Sequence, residues 1–251
     1  ETIVIATKKS SLKKTEWEID FYSRPIIDEN GKKRWELLIT STNNFRDTET
    51  FKWEKICPAS SVNSIWLKDA LDEAIDEAYA QGWDKPSIIR CWRSSMKTMI
   101  KRAADQIGIE LISSRRTYSL FEWLIDRERS YYPQQKGYIG VNLAPPLNPI
   151  TNQAIPLPEE VRGDSWSFAS LSLNTLREAD EWEIKFSNLI PIKASLNQNI
   201  SIPGVRLFSS KRSLALAAWL GGIEPAKLLI EGTQIILEAG QADRWLVTDV
   251  D

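Results

Sequence analysis

The stretch over residues 15–40 constrains the fold of this chain more than any other. It reads as two strands on either side of Asn30-Gly31, a pair that readily adopts positive φ and closes a tight hairpin. Aromatic and β-branched residues fill both arms, so the pattern predicts strands over 16–24 and 34–40. Trp17 and Trp35 are expected near each other across the ladder. Such an aromatic pair adds about 0.5–1.5 kcal/mol beyond burial.

The pattern continues as a third strand over 50–57, stopped by Pro58. A helix follows over 64–80. Trp66, Ala70, Leu71, Ala74, Ile75, Ala78 and Tyr79 form its apolar stripe, and Asp69, Asp72, Glu73, Asp76 and Glu77 cover the rest. Gly82 is placed to end it. A fourth strand is expected over 87–93. A second helix starts near Ser95, with Met96, Met99, Ile100, Ala103 and Ile107 at helical spacing and Gly108 as its cap. A fifth strand over 109–113 and a third helix over 120–129 complete the series. Three antiparallel strands followed by alternating helix and strand is similar to the ribonuclease-H-like order. A generic α/β domain gives a similar string, and the likeness is one of fold alone.

Of the twelve prolines, Pro133, Pro145, Pro146, Pro149, Pro156 and Pro158 crowd into one region. Proline-dense sequence marks a boundary or a long connection. The expected organisation is a ribonuclease-H-like α/β domain over 1–137, a Pro-rich connector over 138–160, and a smaller C-terminal α/β half over 161–251. In that half strands are expected over 166–173, 182–186, 205–208, 228–237 and 244–248, with a helix over 213–220.

Histidine is absent. That removes Ser-His-Asp and Cys-His nucleophile systems, histidine general bases and most zinc sites. Cys57 and Cys91 imply no disulfide framework and read as buried, inert thiols. No glycine-rich nucleotide loop occurs, so no cofactor is expected. The longest apolar run, over 214–223, is too short to span a bilayer. The start of the chain has neither a secretory nor an Arg/Ser-rich transit pattern. The expected location is the cytoplasm.

The formal net charge of −2 does not announce a nucleic-acid binder. Its distribution says more. Residues 1–137 carry 23 Lys/Arg against 21 Asp/Glu, and residues 138–251 carry 9 against 13. Arg90, Arg93, Lys97, Lys101, Arg102, Arg115 and Arg116 cluster in sequence against only Asp105 and Glu110, with Trp92 and Tyr118 close by. Fixed cations suit phosphate oxygens, and aromatic rings suit unpaired bases. The candidate RNA-binding residues are therefore Arg90, Trp92, Arg93, Lys97, Lys101, Arg102, Arg115 and Arg116. A solvated helix face with Trp92 buried in a strand is the competing reading. Lys8, Lys9, Lys13 and Lys14 form a second basic group, read as an exposed arm.

A divalent-metal nuclease needs several carboxylates converging on the ion. Asp20 fits the first strand, and Glu73 or Asp76 the first helix. The fourth strand ends in Arg90-Cys-Trp-Arg-Ser-Ser, with no acid where one is required, and Asp126 does not fill that gap. Asp20 reads otherwise as an exposed strand residue or a partner for Arg24 or Arg34.

Trp17-Glu-Ile-Asp-Phe-Tyr-Ser-Arg-Pro25, Asp28-Glu-Asn-Gly-Lys-Lys33, Trp35-Glu-Leu-Leu38, Arg90-Cys-Trp-Arg-Ser-Ser-Met96 and Arg244-Trp-Leu-Val247 together resemble the Tab2/Atab2 family of RNA-binding translation factors of chloroplasts and cyanobacteria. Val247 departs from that family's Trp-Leu-Leu ending. The resemblance implies a non-enzymatic factor that binds A/U-rich single-stranded RNA. It would support translation of photosystem mRNA, notably for a photosystem I reaction-centre subunit, and so photosystem biogenesis. A photosystem assembly factor that binds proteins without touching RNA is the alternative. Both leave room for protein partners in translation or assembly, and the resemblance implies the chloroplast stroma in place of the cytoplasm if a transit peptide has been removed ahead of Glu1.

Overall fold

Along the first strand Trp17, Ile19 and Phe21 alternate with Glu18, Asp20 and Tyr22. Successive side chains of a strand point to opposite faces, so this strand presents one apolar face and one charged face. The architecture follows from how each is covered. A computed structural model of the chain describes residues 15–42, 49–140, 152–178, 196–197 and 199–248. The Lys8, Lys9, Lys13 and Lys14 group and the expected strand over 182–186 lie outside the described residues.

The N-terminal half is an α/β unit. It comprises β1 (Trp17–Ile27), β2 (Lys33–Ser41), β3 (Lys52–Cys57), α1 (Ser64–Ala80), β4 (Ile88–Cys91), α2 (Lys97–Gln106), β5 (Glu110–Ser113) and α3 (Tyr118–Asp126). The sheet order is β3-β2-β1-β4-β5. β1, β2 and β3 run antiparallel, while β4 lies parallel to β1 and β5 parallel to β4. The element order agrees with the sequence pattern, and α1 has the expected bounds. The Asn63 side chain caps α1, accepting the amides of Ile65 at 3.0 Å and Trp66 at 2.9 Å.

The apolar face of this sheet carries Trp17, Ile19, Phe21, Leu37, Ile39, Ile89 and Cys91. Leu67, Leu71, Ala74 and Ala78 of α1 and Ile100, Ala103 and Ala104 of α2 cover it. Each large side chain so buried contributes about 1.5–3 kcal/mol. The other face is covered by α3 through Leu38, Leu120 and Leu124, with Trp92 and Trp123 packed against them.

Two details of the opening hairpin differ from the sequence pattern. The turn is a wider loop over 28–32. Asp28 Oδ1 accepts the amides of Asn30 at 2.9 Å and Lys32 at 2.8 Å. Gly31 alone has positive φ, at 74°, so the type I′ geometry does not form. With this loop and an irregularity in β1 between Ser23 and Ile27, Trp17 faces Ser41 and Trp35 faces Ser23. Trp17 instead stacks on Phe51, with ring centroids 5.5 Å apart, and Trp35 meets Phe21 and Tyr22.

The C-terminal half comprises β6 (Ile155–Pro156), β7 (Ser165–Ser172), α4 (Leu173–Arg177), β8 (Ser201–Phe208), α5 (Ser213–Gly222), β9 (Pro225–Glu231), β10 (Gln234–Ala239) and β11 (Asp243–Thr248). Its main sheet has the order β6-β11-β10-β9, and β7 pairs with β8 alone. The single strand expected over 228–237 is in fact a hairpin that turns at Gly232-Thr233. Leu216, Trp219 and Leu220 of α5 and Trp166, Val205 and Leu207 of the β7–β8 pair pack with Ile235, Leu237 and Val247.

The described ends of the Pro-rich region are ordered against both halves. Ile27 donates its amide to the Gly137 carbonyl at 2.9 Å, and Ile139 donates to Pro25 at 3.0 Å. A side chain at 137 would meet the Ile27 carbonyl oxygen at 2.1 Å, so only glycine fits there. At the far end β6 lies parallel to β11. Among the described residues no helix is long and apolar enough to cross a membrane.

Candidate nucleic-acid interface

The charged face of β1 is sealed, not open. Asp20 is fully buried. It accepts from Arg24 Nη1 at 2.8 Å, and from Arg93 at 2.5 Å through Nε and 3.3 Å through Nη2. Burial pushes its carboxyl up, and the two guanidiniums more than offset this, so it stays below the usual carboxylate range. Arg24 also lies 3.3 Å from Glu36. Glu36 takes Arg34 at 2.9 Å, Arg127 at 3.2 Å and the Tyr132 hydroxyl at 2.9 Å. Arg127 extends the lattice to Glu54. The Arg93 guanidinium carbon is 3.9 Å from the centroid of the Tyr22 ring and 4.1 Å from that of Trp92.

This arrangement revises the acidic candidates. Asp20 is not an exposed strand residue, and both its oxygens are held by cations. Asp20 lies on the α3 face of the sheet, whereas Glu73 and Asp76 belong to α1 on the opposite face. Glu73 holds Lys55 at 2.5 and 2.6 Å. Among the described residues no three acids, cysteines or histidines converge as a metal site would require.

A second polar network joins the two halves. Arg90 donates to Glu224 at 2.8 Å through Nε and 3.1 Å through Nη2, and to Glu16 through Nη1. Burial works against its charge, but these two carboxylates prevail, so its pKa lies above the ordinary value. Ser114 donates to Glu224 at 3.2 Å. Arg115 donates its side chain to Glu238 at 2.7 Å and its amide to the Gly240 carbonyl at 2.8 Å. The Tyr118 hydroxyl reaches the Ala226 carbonyl, and Gln241 donates to the Trp92 carbonyl at 3.2 Å.

Glu18 sits beside this seam. It accepts the Leu120 amide in the first turn of α3 at 2.9 Å, where the side chain of the preceding Thr117 makes no capping bond. A carboxylate there faces the positive end of the helix dipole. Burial nonetheless raises its pKa to about 7, against the pull of Leu120, Thr42, Arg90 and Arg116. The Arg116 guanidinium is pressed the other way, its pKa lowered by burial and by neighbouring Arg90. Its Nε is buried without a hydrogen-bond partner.

The eight sequence-predicted residues therefore divide, and their reading as one solvent-facing surface is corrected. Arg90, Arg93, Arg115 and Arg116 are buried. The first three are locked onto carboxylates, because β4 and the segment after β5 run into the sheet face and the seam. Trp92 packs against the α3 core, on the opposite side of the sheet from α2. Lys97, Lys101 and Arg102 stand exposed on α2. Lys101 pairs with Asp105 at 2.9 Å, four residues along the same helix. α3 supplies a combination that the sequence reading did not single out. Trp123 is partly exposed, with Lys52 Nζ 5.5 Å and the Arg127 guanidinium 5.3 Å from its ring. The signal for it was thin, because Lys52 and Trp123 are far apart in sequence and meet only when α3 covers the edge of the sheet.

Comparison with known proteins adds a second line. The family model described as RNA-binding protein Tab2/Atab2 N terminal matches residues 16–127, and the one described as RNA-binding protein Tab2/Atab2, C-terminal domain, matches residues 144–251. The chloroplastic TAB2 homolog of Zea mays is 33% identical over 240 residues, which is 92% of this chain and 59% of that protein. The chloroplastic TAB2 homolog of Arabidopsis thaliana is also 33% identical over 240 residues, 92% of this chain and 61% of that protein. The chain thus spans about three fifths of the length of these relatives. Among solved structures, a chain of a simian T-cell lymphotropic virus intasome in complex with PP2A regulatory subunit B56 gamma gives a TM-score of 0.31 at 12% identity, covering 97% of this chain and 82% of that one. A likeness that weak bears on neither fold nor function.

Proposed function

The chain belongs to the Tab2/Atab2 RNA-binding family, and from that premise we propose that it is a non-enzymatic RNA-binding factor that supports translation of photosystem mRNA and photosystem biogenesis. The observation that carries this reading is the pair of family matches over 16–127 and 144–251. The RNA is single-stranded and A/U-rich. Its phosphates meet Lys97, Lys101 and Arg102, the members of the basic cluster that stand exposed. Fixed cations on an exposed helix give capture that weakens as salt displaces them.

A second surface is favoured by one specific observation, the partly exposed Trp123 ring under Lys52. Stacking on an aromatic ring contributes about 1–3 kcal/mol per base, and no aromatic residue stands exposed on α2. The two surfaces lie on opposite faces of the sheet, so one experiment separates them. Fluorescence anisotropy of a short A/U-rich RNA at two salt concentrations is compared for the parent chain, a Lys97/Lys101/Arg102→Ala variant and a Lys52/Trp123→Ala variant. Weakening confined to the α2 variant supports the helix, and weakening confined to the other supports the Trp123 corner. No binding by the parent chain overturns the RNA reading.

A further inference from the structure

β9 is the outer strand of the C-terminal sheet, bonded to β10 on one side and to no other strand among the described residues. A bare edge is a row of unpaired N–H and C=O groups, and folded proteins blunt such edges with proline, bulges or charged side chains, lysine above all. Over 227–231 this edge has neither proline nor bulge, and its charges, Lys227 and Glu231, stand only at the two ends. Pro225 and the break in register both lie at its start, where Tyr118 also reaches the Ala226 carbonyl. Leu228 and Ile230 are 43% and 40% exposed, although Leu237 and Ile235 opposite them on β10 are core residues. An open edge with apolar side chains invites another strand.

The sequence of the edge says which strand fits. Lys227-Leu-Leu-Ile-Glu231 carries a cation at one end and an anion at the other. Lined up antiparallel with itself about Leu229, it sets Lys227 opposite Glu231 twice, Leu228 opposite Ile230 twice, and Leu229 opposite Leu229. Parallel pairing in the same register would set lysine on lysine and glutamate on glutamate. Opposite charges across a ladder stabilise it, and like charges destabilise it. Glu231 also receives Arg244, yet its side chain remains 52% exposed and available at the edge.

We propose that β9 is a homodimerisation edge, on which two copies of the chain pair residues 227–231 antiparallel and continue one sheet across the two-fold axis. Such a contact is closed and self-complementary, the commonest form of symmetric assembly. It leaves α2 and Trp123, both in the N-terminal half, outside the paired strands.

The test is sedimentation velocity over a concentration series reaching roughly 0.3 mM, where a dimer with Kd near roughly 0.1 mM is well populated. The parent chain is expected to shift from monomer towards dimer. K227E places two anions opposite one another at each end, E231K places two cations there, and each should weaken the dimer on the order of tenfold. Mixing K227E with E231K restores both attractive pairs and should restore dimer mass, as should the double variant K227E/E231K. Circular dichroism melts establish that each variant folds. A parent chain monomeric throughout, a dimer indifferent to both single substitutions, or a loss that mixing does not restore would each overturn the proposal.

Discussion

Asp20 and Arg93 form a two-point ion pair inside the N-terminal half, with Nε 2.5 Å and Nη2 3.3 Å from the two carboxylate oxygens. Arg24 takes the same carboxylate from the other side at 2.8 Å. The pair joins the central strand to the segment that follows β4.

Removing one member of such a buried pair leaves an uncompensated charge, which costs about 3–5 kcal/mol. Asp20→Ala is expected to lower unfolding free energy by about that amount, because two guanidiniums lose their common partner. Urea unfolding followed by tryptophan fluorescence measures it. A change below about 1 kcal/mol, within the range of surface pairs, would show that the pair is not formed.

The bond between Arg90 and Glu224 tests how firmly the halves are joined. Glu224→Ala removes the two hydrogen bonds from Arg90 and the one from Ser114 and is expected to cost about 2–3 kcal/mol. The effect should localise. Amide exchange should rise first in β9–β11, where the seam contacts of Glu224, Ala226, Glu238 and Gly240 cluster, while β1–β2 stays protected. Uniform acceleration across both halves would mean that they unfold as one unit.

Neutralising Lys97, Lys101 and Arg102 together should weaken A/U-rich RNA binding on the order of tenfold at low salt and reduce the salt slope by about 2. The Arg93→Ala and Arg115→Ala variants are expected to lose stability first, since both side chains are buried on carboxylates. Paired anisotropy titrations and thermal melts on the same samples distinguish the two effects. RNA affinity that falls in a fully folded Arg93→Ala protein would place the contact elsewhere than α2.

Glu18 predicts a pH dependence of stability. Its folded pKa of about 7 lies above its ordinary value, so between the two the folded state holds a proton that the unfolded state has released. The contribution is therefore most favourable at acid pH and is lost as pH rises through about 7. Glu18→Gln keeps an oxygen for the Leu120 amide and should be near neutral at about pH 5. At about pH 8 it should stabilise by up to about 3 kcal/mol. Melting temperatures of both proteins across that range measure the difference. A variant that gains nothing at high pH would show that the Glu18 carboxyl is not desolvated.

Much of the N-terminal architecture was legible in the sequence, because periodicity there is strong. The α1 stripe repeats over several turns with acids on its outer side and Asn63 ahead of it, so its bounds are local properties. Register was not legible. The Asp28 side chain widens the turn and β1 is irregular between Ser23 and Ile27, so the pairing does not follow from Asn30-Gly31, and Trp17 lies well along the strand from Ser23, the residue opposite Trp35. The basic cluster misled for a related reason. A run of arginines looks alike whether it faces solvent or carboxylates, and Glu16, Glu224 and Glu238 are too distant in sequence to be read as partners. The excess of base before residue 138 and of acid after it was the only trace of the seam. The strand expected over 228–237 failed at Gly232, where a short turn lies inside a continuous apolar pattern.

The seam also bears on the order in which the molecule is made. Arg115 depends on Glu238, and Arg90 is shared by Glu16 and Glu224. A growing polypeptide that has emerged from the ribosome as far as α3 carries both guanidiniums and Glu16, while Glu224 and Glu238 are still untranslated. Hydration must hold the charges until the last strands arrive. Closure of the seam is thus a late event in biosynthesis, timed by Glu224 and Glu238.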